Sequence, residues 1–234
     1  MIVIKIYVVF MTDVANCAEQ NSPEQAVKKK RGRPKCFDEQ AALEQAMLLF
    51  WEHGYEATSI NDLTQLLGIT APSLYSTFGD KATLFYKSID YYLAHEACPI
   101  DRMFEQAKTA RIAFELYMYD NLNRLLQPNK PSGCMLVVAT MNCSESTQDV
   151  QQNLLAKRLK TKEKLMQRLQ KGISEGDLPE HIPLEAMTDF YCTVIQGLTM
   201  QARDGASLAQ LTKVVEHAMR AWSLFVDTHG ETTI

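Results

Sequence analysis

The sequence has little that is typical of a membrane, secreted or metal-binding protein. Its six cysteines lie far apart with no CxxC pair, which indicates reduced, mostly buried thiols of a cytoplasmic protein. No apolar run approaches the length that spans a bilayer, so we expect a soluble protein. His95 and Cys98 supply two ligands where a zinc site usually has about four, so we expect no bound metal.

The sequence also lacks the short motifs of the common enzyme classes. It contains no GxSxG nucleophile elbow, no phosphate-binding loop, no HExxH motif and no dinucleotide-binding glycine pattern. The five histidines are scattered along the chain. We therefore expect a protein that is not an enzyme and has no cofactor.

Positive charge is concentrated near the N-terminus. Six of the eight residues from Lys28 to Lys35 are basic, although the whole chain has a net charge of −4. Without these six positive charges, the net charge of the chain would be −10. A basic segment attached to an acidic body predicts that one end of the chain meets a polyanion.

The residues before the first helical pattern are expected to form a disordered basic arm over 1–35. Residues 1–10, MIVIKIYVVF, have strand-like composition but no partner strand, and they are too short for a membrane span. No small-residue cleavage site follows them, so we prefer a translation start at Met11 to a signal peptide.

Helical periodicity follows the arm. Asp38, Ser59, Thr70 and Asp80 are typical N-terminal caps of four successive helices, of which the first should end at Gly54. Later helices are predicted over 101–126, 134–143, 149–172, 183–203 and 207–226. The fold class is therefore all-α, with about nine or ten helices.

The second and third predicted helices have the proportions of a helix-turn-helix. Leu74 and Phe78 should face inward on the third helix, which leaves its small, hydroxylated side chains free to approach base edges in the DNA major groove. Tyr75 and Lys81 should reach phosphates, and so should the N–H groups at Thr58 and Ser59. The predicted outward-facing residues of the third helix are Thr70, Ala71, Pro72, Ser73, Tyr75, Ser76 and Thr77.

A second interpretation is a helix pair that serves only as a packing motif, in a helical enzyme or scaffold with no DNA role. The basic arm just upstream, together with an exposed tyrosine beside small hydroxyl groups, favours DNA binding.

The segment from Gly54 to Phe85, GYEATSINDLTQLLGITAPSLYSTFGDKATLF, resembles the DNA-binding domain of the TetR family of bacterial transcriptional regulators (AcrR-like). Thr77 departs from the pattern, since many members have histidine there. The resemblance implies an N-terminal three-helix helix-turn-helix domain over 36–96 and a larger ligand-binding and dimerisation domain over 97–229. It also implies a homodimer, operator DNA as partner, and repression relieved by an unknown small-molecule effector.

The same resemblance places the dimer interface on the last two long helices, 184–203 and 207–226. Gly197 and Ala202 would allow close approach of the partner helices there.

The basic arm contains a second recognisable element. Arg31-Gly32-Arg33-Pro34 resembles the core of an AT-hook, in which arginine enters a narrow A·T-rich minor groove. The alternative is a solvated basic tail that adds only sequence-independent attraction to phosphates.

The residue types expected in the effector pocket, aromatic and sulfur-containing, are equally typical of a packed core. The candidates are Phe104, Phe114, Tyr117, Met118, Met135, Met141 and Tyr191. The basic run Lys157–Lys164 is expected to form a solvated helix face, with Leu155 and Leu159 on the apolar side of the same helix. A rival regulator would respond to oxidation of Cys134 and Cys143 instead of an organic ligand.

Overall fold

The computed structural model describes residues 38–141 and 144–227, and helices account for every regular element among them. The α-helices are α1 (Glu39–Ala57), α2 (Ile60–Leu67), α3 (Ala71–Phe78), α4 (Lys81–His95), α5 (Ile100–Gln106), α6 (Ala110–Leu125), α7 (Met135–Val138), α8 (Gln148–Ser174), α9 (Leu184–Arg203), α10 (Leu208–Arg220) and α11 (Trp222–Val226). A 3₁₀ turn, Glu145–Thr147, precedes α8. The predicted all-α class is confirmed. The basic arm with Arg31 and Arg33, and also Cys143, lies outside the described residues.

Short-range side-chain chemistry sets the starts of the first four helices. Asp38, Ser59, Thr70 and Asp80 each stand immediately before a helix, and each side chain accepts a backbone N–H from its first turn. Such side chains satisfy N–H groups that have no partner inside the helix. All four predicted starts are therefore confirmed.

The regular run of α1 is broken at Gly54, where the first helix was predicted to end, and a short helical segment follows. Gly54 has φ 82° and ψ 170°, a conformation that favours glycine, and helical structure resumes up to Ala57. The N–H of Tyr55 donates to the carbonyl oxygen of Ala139 at 2.8 Å. A β-carbon at Gly54 would lie 3.3 Å from that same oxygen. The glycine thus permits a close backbone contact between α1 and the segment after α7.

The helix predicted over 101–126 is divided into α5 and α6. Ala107 is extended, and the side chain of Thr109 caps α6 by accepting the N–H of Ile112 at 3.2 Å. A carboxylate distant in sequence, Asp177, accepts the N–H of Ala110 at 2.7 Å. The break therefore depends partly on a tertiary contact that helical periodicity does not reveal.

Two other predicted helices also end early. The helix expected over 134–143 ends at Val138, one residue before the carbonyl that Tyr55 uses. The helix expected over 207–226 is interrupted at Ala221, whose carbonyl accepts the N–H of Leu224 at 3.1 Å in a tighter turn.

Helix α6 is central to the second half of the protein, where it packs against α5, α8, α9 and α10. Phe114 on α6 is fully buried, and its ring lies 5.1 Å from that of Tyr191 and 5.3 Å from that of Trp222. Such edge-to-face aromatic contacts add stability beyond simple burial. Within the two described ranges, no helix combines the length and the apolar character that a bilayer crossing requires.

Candidate nucleic-acid interface and ligand cavity

Helix α3 is held from beneath by two buried side chains. Leu74 is 0 % exposed and Phe78 is 2 % exposed, whereas Tyr75 between them is 49 % exposed. Gly68, at φ 63°, closes α2 in the left-handed conformation and lets the chain turn into α3. The predicted inward pair is confirmed, and the outer side of the helix faces away from the protein.

The polar side chains of α3 are arranged as a shallow, solvent-facing surface. Thr70, Pro72, Tyr75 and Ser76 are exposed. The remaining predicted residues, Ala71, Ser73 and Thr77, are half-buried. The hydroxyl groups of Thr70 and Ser73 lie 3.0 Å apart, and that of Ser76 donates to the Ser73 carbonyl at 3.0 Å.

The N-terminal end of α2 differs from the prediction. The side chain of Thr58 is 1 % exposed and donates to the Gly54 carbonyl at 2.7 Å, so it is not available to DNA. The N–H of Ser59 donates to the carboxylate of Asp62 at 2.8 Å. Hydrogen bonds from Ser59 lower the pKa of Asp62, which keeps a negative charge where a phosphate was expected. A phosphate contact by these two N–H groups is therefore disfavoured.

Lys81, expected to reach a phosphate, is half-buried at the start of α4. Its ammonium nitrogen lies 4.4 Å from the centroid of the Tyr55 ring, a cation–π distance. The positive charge of Lys81 therefore lies against the ring of Tyr55 on α1.

A cavity of about 520 Å³ opens in the second half of the protein, with walls from α4, α5, α6, α7, α8 and α9. Of the seven predicted pocket residues, Tyr117 lines it. The other six do not line it: Met141 is 54 % exposed, and the five buried ones fill the core. Those five are Phe104, Phe114, Met118, Met135 and Tyr191. Those five side chains pack in the core, whereas the walls of the cavity combine apolar residues with charged and polar ones.

Sequence reasoning missed that three cysteines share this cavity. Cys98, Cys134 and Cys192 come from three separate parts of the chain and all line it. Burial raises the pKa of each thiol, for Cys192 to about 11. The three side chains are therefore neutral thiols at physiological pH, in which state they are weak nucleophiles.

The basic run on α8 is also placed differently from the prediction. Lys157, Arg158, Lys160 and Lys164 line the cavity and are not confined to a solvated face. Conversely Leu155 and Leu159, expected on the apolar side of this helix, are 46 % and 54 % exposed. The inward face of α8 includes Leu154, Arg158, Thr161 and Leu165, whose spacing of three or four residues is helical. Because this inward face contains polar residues, the apolar pattern of the sequence predicted the wrong inward face for α8.

Hydrogen bonds connect the helix-turn-helix region to the cavity wall. The indole N–H of Trp51 on α1 donates to the carbonyl of Gly133 at 2.9 Å. Tyr92 on α4 packs edge-on against the Trp51 ring at 4.9 Å, and its hydroxyl donates to the sulfur of Cys134 at 3.5 Å. Tyr92, Gly133 and Cys134 all line the cavity. The cavity wall at these residues is therefore in direct contact with α1 and includes a residue of α4.

A second, open groove of about 390 Å³ lies between α9 and α10. Phe190, Val194, Val214 and His217 line it, and Val214 is 45 % exposed. This groove lies on the two helices predicted to dimerise.

The two small residues predicted for the interface behave differently from each other. A β-carbon at Gly197 would meet nothing within 4 Å, so this position is open to a partner. Ala202 is 2 % exposed within its own chain, which means that the prediction for this residue is wrong.

The described part of the chain offers no cluster with metal-binding geometry. No group of three or more histidine, cysteine, aspartate or glutamate side chains is placed there to hold an ion. His95 and Cys98 therefore gain no further ligand of these types among those residues.

Two family models match separate parts of the chain. The model described as bacterial regulatory proteins, tetR family, matches residues 42–86, which contain α2 and α3. The model described as tetracyclin repressor-like, C-terminal domain, matches residues 116–223, which include cavity walls and the α9–α10 groove.

Curated proteins and solved structures agree with these matches. HTH-type transcriptional repressor ComR of Escherichia coli (strain K12) is 36% identical over 203 residues, 85% of this chain and 95% of ComR. Repressor BdcR of the same strain is 28% identical, over 77% of this chain and 86% of BdcR. A cysteine-substituted CifR, a TetR family transcriptional regulator solved with 26-bp double-strand operator DNA, has a TM-score of 0.79 and 34% identity, over 81% of this chain and 100% of that one. The chain belongs to the TetR family of bacterial regulatory proteins.

Proposed function

We propose that the protein is a homodimeric transcriptional repressor, not an enzyme, that binds double-stranded operator DNA through α3 and leaves it when a small molecule enters the cavity. The observation that carries the proposal is the solvent-facing side of α3, where small hydroxylated side chains and Tyr75 stand on a buried Leu74–Phe78 base. This geometry suits a recognition helix in the major groove. The names of ComR and BdcR as repressors, and the operator complex of CifR, support it.

The proposal divides the chain into residues 1–35 as a DNA-binding arm, 36–96 as the helix-turn-helix domain and 97–229 as the effector-binding and dimerisation domain. The corrected set of DNA-contacting residues is Arg31, Arg33, Thr70, Ala71, Pro72, Ser73, Tyr75, Ser76, Thr77 and Lys81. Thr58 is omitted because its side chain is buried, and Ser59 because its N–H is used by Asp62. Since the proposed target is chromosomal DNA, we place the protein in the cytoplasm.

The α9–α10 groove supports the proposed dimer. Phe190, Val194 and Val214 form an apolar strip at the surface, and Gly197 leaves room beside it. Two copies joined there by a two-fold axis would place their α3 helices in successive major grooves, about 34–36 Å apart.

The contacts of Trp51 and Tyr92 supply a route for release. An effector in the cavity would touch the segment at Gly133 and Cys134, to which α1 and α4 are hydrogen-bonded. Release requires that the effector bind more tightly to the conformation that does not fit DNA. A shift of these helices would change the separation of the two α3 helices.

The direct test measures fluorescence anisotropy of a labelled duplex from the promoter region of the protein's own gene. We expect tight binding that survives excess nonspecific DNA, and a genome-wide map of bound DNA would then identify the operators. Absence of any binding at low salt, where phosphate attraction is strongest, would contradict the proposal.

The thiol-oxidation alternative has one observation in its favour, which is that three cysteines line one cavity. Their raised pKa values oppose it, because oxidation proceeds through the thiolate. Operator affinity with and without peroxide, measured on wild type and on Cys134→Ser, separates the two functions. Loss of binding in wild type only would favour the thiol mechanism.

A further inference from the structure

We propose that the effector is an amphipathic organic anion whose charged head binds at Arg158 and whose apolar part lies against the interior wall of the cavity. The inference rests on the proposed function, in which this cavity is the effector site. Its volume of about 520 Å³ is within the usual range for small-molecule sites.

The first observation is the charge of the cavity wall. Arg102, Arg124, Lys157, Arg158, Lys160 and Lys164 line it. The lining includes one carboxylate, Asp101. A cavity with walls of one sign concentrates ligands of the opposite sign, particularly where the surrounding protein is of low dielectric.

Three of these cations are paired with carboxylates of the same chain. Lys157 pairs with Asp90 at 2.8 Å and Lys164 with Asp101 at 2.6 Å. Arg124 pairs with Asp120 at 2.6 Å. The positive charge of the cavity must therefore come from the other three.

Arg102, Arg158 and Lys160 have no salt-bridge partner among the residues that the structure describes. Arg158 differs from the other two because its neighbours hold it in place. One of its terminal nitrogens, Nη1, donates to the carbonyl of Leu136 at 2.7 Å, which fixes the guanidinium at the wall. A fixed, planar guanidinium is well suited to bind a carboxylate or a phosphate through two parallel hydrogen bonds.

The environment of Arg158 penalises its charge. Partial burial lowers the pKa of this guanidinium, and the nearby thiol of Cys134 is itself protonated at neutral pH. A desolvated cation without a counter-charge is unfavourable, and a bound anion would remove that penalty.

The interior wall is apolar and uncharged. Tyr92, Tyr117, Leu165 and Ile195 line it with buried side chains. The three thiols add polarisable but neutral surface. A ligand with one anionic end and one apolar end therefore matches both parts of the cavity, whereas an amine would meet unpaired positive charge.

Calorimetric titration of the full chain without DNA tests the inference with four probes that share a phenylbutyl body. The probes are 4-phenylbutyrate, 4-phenylbutyl phosphate, the neutral 4-phenylbutyramide and the cationic 4-phenylbutylamine. We expect at least one anion to bind at least about tenfold more tightly than the amide, with the amine weakest. The better of the two anions identifies the head group as carboxylate or phosphate.

Substitutions test whether the preference for anions depends on Arg158. Arg158→Met should reduce anion binding to the level of the amide, and Arg158→Lys should restore part of it. Lys160→Met, at an exposed position, should cause a smaller loss of anion binding. It still tests the positive charge of the cavity wall if Arg158→Met fails to fold. The matched control is Arg111→Met, an exposed arginine on α6 outside the cavity, which should bind anions as wild type does.

Three results would overturn the inference: equal or tighter binding of the amide or the amine, an anion preference unchanged in a folded Arg158→Met, or no binding of either anion at millimolar concentration. Operator release is measured separately by anisotropy. Anion binding that depends on Arg158 but leaves the operator complex intact would support the inference and contradict the proposed mechanism of release.

Discussion

The proposed DNA-binding surface and the cavity of this protein are built in opposite ways. Residues 70–81 contain nearly the whole proposed reading surface, held by two caps and by two buried anchors. The cavity instead draws its walls from residues between Tyr92 and Gln196 on six helices. The first is therefore fixed mainly by local chemistry, whereas the second depends on how distant segments pack.

This difference predicts how each region responds to substitution. On α3 the anchoring and contacting side chains are separate residues, so that stability and DNA affinity can be changed independently. In the cavity one residue often has both a structural and a ligand-facing role. Arg158, for example, lines the cavity and also donates a hydrogen bond to the Leu136 carbonyl.

The largest expected effect comes from removing an anchor. Leu74 is completely buried, so Leu74→Ala should lower the free energy of unfolding by about 2–5 kcal/mol, because apolar burial is reduced and a residual cavity forms. Urea denaturation measures the loss, and operator binding should fall with it. A change below about 1 kcal/mol would mean that α3 is not supported from beneath as described.

The second-largest effect should distinguish a side chain that contacts DNA from those that hold α3 in place. Tyr75→Ala removes an exposed side chain, and we expect operator affinity to fall by about tenfold or more at an unchanged melting temperature. Tyr119→Ala, on α6 and away from α3, is the matched control and should bind DNA normally. Wild-type affinity in the Tyr75 variant would remove this residue from the proposed surface.

Deleting the residues before Lys35 tests whether the reading surface extends into the arm. We expect lower affinity and a flatter dependence of binding on salt, by about 0.9 in logarithmic slope for each phosphate that the arm neutralises in the full chain. Anisotropy titrations between low and physiological salt measure both. An unchanged slope would show that the arm binds no phosphate.

Trp51→Phe probes the connection between the two regions. The substitution removes the hydrogen bond to the Gly133 carbonyl, which should cost about 0.5–1.5 kcal/mol of stability. DNA binding should persist, while the concentration of effector needed for release should change. Release indistinguishable from wild type would mean that the signal does not pass through this bond.

The smallest expected effect is in thiol chemistry. With a pKa of about 11, Cys192 should be about 0.1% thiolate at pH 8, and its reaction with a disulfide reagent should accelerate as the pH approaches 11. Peptide mass spectrometry follows this cysteine separately from the others. Rapid modification at neutral pH would instead favour the thiol-oxidation alternative.

The sequence was sufficient to predict the first region because its signals act over three or four residues. Caps, glycine stops and the Leu74–Phe78 spacing predicted α2 and α3 correctly. The main error, at Thr58, arose because the N–H group expected to meet a phosphate belongs to a residue that is buried, with its hydroxyl bonded to the Gly54 carbonyl.

The cavity could not be predicted by the same means. Periodicity identifies which face of a helix is buried, but it does not distinguish the packed core from the wall of a cavity. Phe114 and Tyr191 were therefore predicted in the pocket, whereas in the structure they are buried and do not line the cavity. On α8 the inward face contains Arg158 and Thr161. The spacing of leucines therefore predicted an inward face with Leu155 and Leu159, which are exposed. The packing of the helices in the structure is what shows that the basic run and the cysteines line the same cavity.

The bond from the Tyr55 N–H to the Ala139 carbonyl has an evolutionary consequence. Both partners are main-chain atoms, and Gly54 is what allows them to meet. Substitutions that adapt the cavity to a new chemical signal can therefore accumulate without altering this joint. Proteins that differ from this one in the side chains of the cavity would keep both partners of this backbone contact, provided that the glycine persists.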